Sequence, residues 1–279
     1  MNVVLITIVT LSGLGVFSAL LLYFAAQKFK VVEDQRIDLV EEALPAANCG
    51  GCGFPGCRAL AEALVKADDI SNIICPVAGA ESMAKISAIL GKEAPKTDPK
   101  VAVVRCNGSC ENRQKINVFQ GLSSCVTMNA LFGGETGCFY GCCGLADCVS
   151  ACKFDAIHID KSTGLPVVIE ENCVACGACA KACPKNIIEL RKIGPKSRRI
   201  YISCMNKDKG ALARKNCAVA CIGCGKCQKV CTFDAISMEN NLAYIDFNKC
   251  RLCRKCVEEC STKAIVELNF PAKKVAEEK

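Results

Sequence analysis

The sequence contains no tryptophan and only one histidine, His158, and aromatic residues make up 5% of its 279 residues. So few aromatic side chains argue against a large aromatic core and against a base-stacking surface for single-stranded nucleic acid. The single histidine nearly excludes zinc sites of the mixed cysteine and histidine kind and haem with histidine ligands. Cysteine, with 26 residues, is the abundant chemical group.

These cysteines do not suggest disulfide bridges. The chain is long, and its cysteines occur in C-x2-C-x2-C runs among small residues. Cysteines that lie so close in the chain are better placed to bind the corners of one inorganic cluster than to form paired disulfide bridges. A reducing compartment, which keeps thiols available for metal, is therefore the expected environment.

The formal net charge of +7 first suggests an anionic partner such as nucleic acid. An oxidised cubane with four thiolates carries about −2. Five such clusters would bring the total to about −3, and no basic stripe runs along the chain. We therefore expect no nucleic-acid partner.

Residues 2–27 contain no charged side chain, and Lys28 and Lys30 follow. The stretch is long enough to cross a bilayer as a helix, and no basic region precedes it as in a cleaved signal peptide. We expect an uncleaved single-pass anchor in the cell membrane. Because basic residues favour the cytoplasmic side, the N-terminus should lie outside and the cysteine domains in the cytoplasm.

The expected fold class is α+β, with an N-terminal transmembrane helix, a small helical four-cysteine domain and two repeated cysteine-rich domains. Asp34 to Leu44 and Arg58 to Ala67 have helical spacing, whereas VAVVR, VVIE and AYIDF are typical of short strands. The expected segments are an anchor (1–30), a four-cysteine domain (31–90), a linker (91–100), a connecting segment with extra cysteines (101–137), two cysteine-rich units (138–200 and 201–268) and a tail (269–279).

The two late units repeat each other, as CKFDAIHID from Cys152 and CTFDAISME from Cys231 show. About twenty residues after each comes a C-x2-C-x2-C-x3-C run, which begins at Cys173 in one unit and at Cys250 in the other. This spacing resembles that of the bacterial two-cluster ferredoxins. In that family three cysteines of a run bind one cluster, and the fourth binds the other cluster of the pair.

In the last unit the resemblance assigns every ligand. One cluster would take Cys221, Cys224, Cys227 and Cys260, and the other Cys231, Cys250, Cys253 and Cys256. The family usually has proline after the fourth cysteine, whereas this chain has Thr232 and Ser261 there. That departure weakens a turn preference but removes no ligand.

The preceding unit is less regular, because its first run reads C-x3-C-C-x4-C-x3-C. The preferred assignment gives one cluster Cys138, Cys142, Cys148 and Cys183, and the other Cys152, Cys173, Cys176 and Cys179. Cys143 is an alternative to Cys142, since the two are adjacent and spacing does not choose between them.

The first cysteine group is spaced C-x2-C-x4-C-x17-C and comprises Cys49, Cys52, Cys57 and Cys75. Four thiolates without histidine suit either zinc or a cluster. Three ligands in one glycine-rich loop and one distant ligand favour a cubane, because zinc ribbons tend to present two separated C-x2-C pairs. Five [4Fe–4S] clusters on twenty cysteines result.

Six cysteines remain, and free buried thiols are their simplest interpretation. The C-x3-C of RCNGSC suggests instead a sixth metal site from Cys106, Cys110 and Cys125 with a nearby extra cysteine such as Cys143.

The chain begins with the anchor, continues with NCGGCGFPGCRALAEAL and ends with the tandem ferredoxin units. This order resembles that of the B subunits of the Rnf (Rsx) complex, the ion-translocating ferredoxin:NAD+ oxidoreductase. VAVVRCNGSC and the second ferredoxin unit resemble the longer, clostridial-type form. The resemblance implies a relay between soluble ferredoxin and flavin- and NAD-bearing subunits, coupled to Na+ or H+ transport.

The chain itself has no G-x-G-x-x-G after a strand, and thus no complete site for NAD chemistry, and its anchor has no ionisable residue for an ion. Two alternatives stay open, namely a subunit of another membrane-associated anaerobic reductase and a metal scaffold without a redox role.

Overall fold

The structure is a computed structural model that describes residues 2–28, 34–93 and 98–271, so that Lys30, part of the linker and the end of the tail lie outside the described residues. The helices of the described part are α1 (Asn2–Lys28), α2 (Arg36–Ala43), α3 (Cys57–Lys66), α4 (Gly79–Leu90), α5 (Cys125–Phe132), α6 (Asp147–Ser150), α7 (Ala178–Ala182), α8 (Gly210–Asn216), α9 (Lys226–Lys229) and α10 (Lys255–Glu258). The strands are β1 (Lys100–Val104), β2 (Ile157–Asp160), β3 (Leu165–Val168), β4 (Ile188–Lys192), β5 (Arg199–Ile202), β6 (Ile236–Glu239), β7 (Leu242–Ile245) and β8 (Ile265–Leu268).

Helix α1 is the one described helix that is long and apolar enough to cross a membrane, over Leu5–Lys28. Its large apolar side chains, from Leu5 to Phe24, are all exposed, so α1 is not a core helix of a soluble domain. Lipid is the solvent that would cover such a surface. The expected N-terminal apolar helix is confirmed.

Helices α2, α3 and α4 form the first cysteine domain. Their spacing places Val40, Leu60, Leu64 and Ile86 inside, and none of the four is exposed to solvent. The two helices expected from periodicity are confirmed as α2 and α3. This small core also contains Cys57 and Cys75, so cluster ligands and packing residues share one interior.

The rest of the described chain consists of two units with the same plan. In the first unit β2 and β3 form a hairpin and β1 pairs antiparallel with β4. In the second unit β6 and β7 form the hairpin and β5 pairs with β8. The strand expected from VAVVR is confirmed as β1, and it pairs with β4 of the first unit.

Buried charges join the two units. Arg191 in β4 is 1% exposed, and its guanidinium donates hydrogen bonds to the carbonyls of Ile200 at 3.4 Å and Ile245 at 2.9 Å, both in the second unit. Glu189 accepts hydrogen bonds from both Arg191 and Arg105. The aromatic ring of Tyr244 lies beneath both guanidinium groups. The interface therefore fixes the first unit against β5 and β7 of the second.

Candidate metal centres

The first domain contains four cysteines, of which Cys57 and Cys75 lie in its core. Cys49 and Cys52 lie in a loop that turns at Gly50 and Gly53, both with positive φ, whereas Cys57 begins α3. The side-chain oxygen of Asn48 accepts a hydrogen bond of 2.8 Å from the Cys57 amide, which closes the loop onto the helix. Burial raises the pKa of Cys75, and the neighbouring thiols of Cys52 and Cys57 raise it further, so this distant cysteine faces the loop.

A cavity of about 360 Å³ in the first unit is lined by Cys152, Cys173, Cys176 and Cys179. Burial is the main cause that raises the pKa of Cys179 to about 11, and the other three thiols add to the shift. The apo thiol of Cys179 would thus be protonated at neutral pH, so that metal binding there would release a proton.

The second unit contains two cavities of similar size. One, of about 370 Å³, is lined by Cys221, Cys224, Cys227 and Cys260. The other, of about 330 Å³, is lined by Cys231, Cys250, Cys253 and Cys256. These are the two sets that the ferredoxin resemblance implies, with the fourth cysteine of each run on the opposite cavity. The thiols of Cys227 and Cys256, one from each cavity, interact electrostatically, so the two cavities adjoin.

The fourth cavity, of about 350 Å³, is lined by Cys125, Cys142, Cys143, Cys148 and Cys183. Cys138 does not line it, although the sequence assigned Cys138 to this site together with Cys142, Cys148 and Cys183. The thiols of Cys125 and Cys143 are hydrogen-bonded to each other, which lowers the pKa of Cys125 and raises that of Cys143. The sequence suggested Cys125 and Cys143 as ligands of a separate sixth metal site, but both line this cavity together with Cys148 and Cys183.

An aspartate holds Cys125 at this cavity. Asp147, the first residue of α6, accepts hydrogen bonds from the amides of Cys125 at 3.0 Å and Val126 at 3.2 Å and from the hydroxyl of Ser124 at 3.0 Å. Its carboxylate therefore satisfies the free amides at the start of α5. Because Cys148 follows Asp147 in the chain, this cap brings α5 beside the irregular cysteine run.

The short helices that follow the ligand loops begin in one backbone conformation. The residue before each of them has positive φ, and these residues are Ala146, Gly177, Gly225 and Arg254. The two glycines adopt this conformation without a Cβ clash, whereas Ala146 and Arg254 are strained by it. The turn is thus required by the loop rather than by the residue type.

The remaining cysteines lie elsewhere. The thiols of Cys106, Cys138 and Cys217 interact electrostatically with one another, and the thiol of Cys204 interacts with that of Cys106. Cys110 is exposed, and a Cβ at Gly164 would lie 2.9 Å from its sulfur. The structure therefore divides the set Cys106, Cys110, Cys125 and Cys143 among three places.

The cavities fit cubanes. Within the described residues no three Cys, His, Asp or Glu side chains are arranged to hold a single metal ion. Four thiolates on one zinc ion, with bonds of about 2.3 Å, lie only about 3.8 Å apart. A [4Fe–4S] core instead lies between its four thiolates, and each thiolate binds one iron. The cavities lined by four or five cysteines supply that donor set.

Three family models match the chain in the same places. An iron–sulfur cluster family matches residues 44–72, and two families of 4Fe-4S dicluster domains match residues 137–187 and 220–265. The expected ferredoxin-like architecture, with [4Fe–4S] clusters as cofactors, is thereby confirmed.

Relatives extend the match over the whole length. The B subunit of the Na+-translocating ferredoxin:NAD+ oxidoreductase complex of Acetobacterium woodii is 45% identical over 95% of this chain and 78% of its own length. The chain belongs to the family of Rnf complex B subunits. The B subunit of the proton-translocating complex of Clostridium ljungdahlii is 39% identical over 95% of this chain and 93% of its own. That of the ion-translocating complex of Methanosarcina acetivorans is 39% identical over 95% and 98%.

The chain is accordingly an iron–sulfur electron-transfer subunit of an Rnf oxidoreductase complex, and it assembles with other subunits in association with a membrane. The names of the relatives differ in the transported ion, Na+ in one and H+ in another.

Successive cysteine sites of the first domain and the first unit lie next to one another in space. A Cβ at Gly51 would lie 2.9 Å from the carbonyl oxygen of Cys176, so the loop of the first domain touches the loop of the next site. In the first unit Cys148 and Cys179, from different cavities, are electrostatic neighbours. The first domain and the cavities of the first unit therefore form an uninterrupted series.

Proposed function

We propose that this subunit conducts electrons between a soluble ferredoxin and the flavin- and NAD-bearing subunits of the Rnf complex. The observations that carry the proposal are the contact of the first domain with the first unit, at Gly51 and Cys176, and the cysteine-lined cavities of both units. A bound cubane accepts or releases one electron at a time. Each electron lost by ferredoxin is thus gained by the relay.

The assignment of ligands is part of this proposal. The first site would be held by Cys49, Cys52, Cys57 and Cys75, and three others by the four-cysteine sets that line their cavities. The protein contributes fixed ligand positions, N–H groups directed at sulfur and exclusion of water, which together set the potentials.

A basic groove marks where ferredoxin would dock. The groove adjoins Cys250 and is lined by Arg191, Lys192, Arg198, Arg199 and Arg251, of which Arg191 and Arg199 are buried and paired with carboxylates. Positive charge beside an exposed cluster edge favours an acidic electron carrier, because complementary charge accelerates association. Cys253, exposed next to this groove, brings its site close to the surface.

The membrane arrangement is also proposed. Helix α1 would cross the bilayer with the N-terminus outside, and Lys28 together with Lys30 would lie on the cytoplasmic side. Labelling of a cysteine added at position 2 in intact cells tests this, with labelling only in inverted vesicles as the contrary result.

The decisive experiment is anaerobic purification of the full-length chain followed by mixing with chemically reduced ferredoxin. We expect EPR signals of reduced clusters in the chain to appear on mixing while the signal of reduced ferredoxin declines by the same number of electrons. Iron-free protein, or clusters that ferredoxin does not reduce while dithionite does, would contradict the proposal. The second outcome would favour a different electron donor.

A further inference from the structure

An uncharged stretch of the chain carries most of the exposed apolar surface outside α1. Residues 116–134 contain no charged side chain. In the described part of the chain, eleven large apolar side chains outside α1 are exposed, and seven of them lie between residues 116 and 139, namely Ile116, Val118, Leu122, Val126, Leu131, Phe132 and Phe139. These seven side chains are called here the apolar face. A soluble domain seldom exposes so many large apolar groups in one region unless that surface binds a partner.

Contacts within this stretch bring its two ends together. The amide of Ile116 donates a hydrogen bond of 2.8 Å to the carbonyl of Glu135. The rings of Phe119 and Phe132 meet edge to face, with their centroids 5.8 Å apart. The segments before and after α5 therefore lie side by side, and the exposed apolar side chains share one region of the surface.

The same segment is fixed to the fourth cavity, which five cysteines line. Helix α5 supplies Cys125 to that cavity and is capped by Asp147. The ammonium group of Lys185, which also lines the cavity, donates hydrogen bonds to the carbonyls of Gly133, at 2.6 Å, and of Phe139. It lies 4.1 Å from the centre of the Phe139 ring. The apolar face is therefore built on the wall of a candidate cluster site.

The charged groups next to the apolar face are paired within the chain. Lys115 and Glu135, which flank the uncharged stretch, form an ion pair of 2.5 Å with each other. The carboxylate of Asp147 and the ammonium group of Lys185 are bonded to amides and carbonyls of the same segment. Within the described residues 115–135 the face therefore has no unpaired charge. Since complementary surfaces match in charge, the partner that fits it is uncharged and apolar.

This chemistry separates the possible occupants. An acidic ferredoxin or an anionic bilayer is attracted by basic residues, and membrane-surface segments also use tryptophan. Residues 116–134 contain no lysine, arginine or tryptophan. Residues 272–279 (AKKVAEEK) do not match the face either, because five of the eight are charged. Apolar contacts are instead typical of permanent assemblies, and the relatives of this chain are subunits of such a complex.

We propose that the apolar face is a permanent docking surface for a different subunit of the oxidoreductase complex, one that presents an uncharged, apolar surface of its own. Because the face is built on the wall of the fourth cavity, docking would bring that subunit close to a cluster bound there. The docking itself rests on membership of the complex. Only the passage of electrons across the contact rests on the proposed relay.

Photo-cross-linking in intact membranes that contain the whole complex tests the contact directly. A photoreactive amino acid in place of Leu122, which is 75% exposed, should join the chain to a different subunit of the complex on illumination. Mass spectrometry should place the cross-link in a mainly apolar peptide of that subunit. The same amino acid in place of Leu212, which is 49% exposed and outside the face, should not give this product. A product with ferredoxin, with a second copy of this chain or with lipid alone would overturn the proposal, as would the absence of any product.

A second test adds two charges to the apolar face. Val118→Lys/Leu122→Lys should reduce co-purification of the cross-linked subunit with this chain by about tenfold or more, because each lysine would be buried without a counter-ion. Its iron content should not change, since both side chains are 75% exposed. Leu39→Lys/Leu212→Lys adds the same charge at exposed leucines outside the face and should leave co-purification unchanged. Equal co-purification in the two variants would contradict the proposal.

The outcomes are distinguishable from those for the proposed function. A Val118→Lys/Leu122→Lys variant that loses its partner subunit, but that reduced ferredoxin still reduces at the normal rate, would support the docking surface and leave the relay intact. If ferredoxin fails to reduce the unmodified chain while the cross-link forms, the electron donor is refuted and the docking surface stands. A loss of iron in the lysine variant would indicate misfolding, and the cross-link at position 122 then decides.

Discussion

The guanidinium of Arg191 donates a 2.9 Å hydrogen bond to the backbone carbonyl of Ile245, across the boundary between the two ferredoxin units. The same side chain reaches the carbonyl of Ile200 and the carboxylate of Glu189. One side chain of the first unit therefore satisfies buried acceptors in two strands of the second. Electron transfer depends steeply on distance, so a fixed boundary between units matters for a relay.

Arg191→Met should destabilise the folded chain by about 3–5 kcal/mol, because it leaves Glu189 and two carbonyls partly unpaired in the interior. Anaerobic denaturation followed by visible absorption measures the change. Lys192→Met is the matched control, since Lys192 forms only a surface ion pair with Asp98 and should change stability by less than about 1 kcal/mol. Equal effects of both substitutions would contradict the buried role of Arg191.

Gly51→Ala should slow electron transfer between the first domain and the first unit while leaving the iron content unchanged. The added Cβ would lie 2.9 Å from the Cys176 carbonyl and 3.1 Å from its Cα, so the two loops must separate. Freeze-quench EPR after mixing with reduced ferredoxin measures the transfer. Gly50→Ala controls for strain of the same loop, because alanine is strained at its φ of 68° while its Cβ would meet only Phe54, at 3.7 Å. A Gly51→Ala variant with unchanged transfer would refute this contact as the route.

Asp147→Ala should remove the cap of α5 and cost about 1 kcal/mol of stability. Since Cys125 would no longer be held beside Cys148, we expect loss or lability of one cluster, about four iron per chain. Asp160→Ala is the control, because Asp160 caps a hairpin turn through Ser162 and Thr163 without contact to a cysteine. Retention of all iron in Asp147→Ala would exclude Cys125 as a ligand.

Ala146→Gly should stabilise the loop before α6 by about 1 kcal/mol, since Ala146 has φ of 67° and glycine accepts this conformation without strain. The reciprocal change Gly177→Ala, at φ of 77° before α7, should destabilise by a similar amount. Rates of cluster loss in air or denaturant report both effects. Opposite signs are expected, and the same sign in both variants would contradict the argument.

Arg251→Glu should slow reduction by an acidic ferredoxin about tenfold at low ionic strength, and the effect should fall as salt is added. Arg251 lines the basic groove beside Cys250. Lys161→Glu, an exposed residue in the turn between β2 and β3, changes the net charge equally and lies outside the groove. If the two variants slow reduction equally, total charge rather than this groove steers the partner.

The sequence by itself determined the chemistry of this protein. Runs such as Cys250 to Cys260 and the loop from Cys49 to Cys57 predict cubane ligands, because their spacing is local and survives in any fold that closes the loop. The uncharged stretch before Lys28 likewise predicted α1, since length and apolarity are properties of the segment alone. The repeat of CKFDAIHID and CTFDAISME predicted two copies of one unit.

Only the tertiary structure decided which distant cysteines meet. Cys125 reaches Cys148 through the Asp147 cap, 22 residues away in the chain, and Cys138 faces Cys106 and Cys217 rather than Cys183. Spacing carries no information about such contacts, because they depend on how β1 pairs with β4 and how one unit packs on the other.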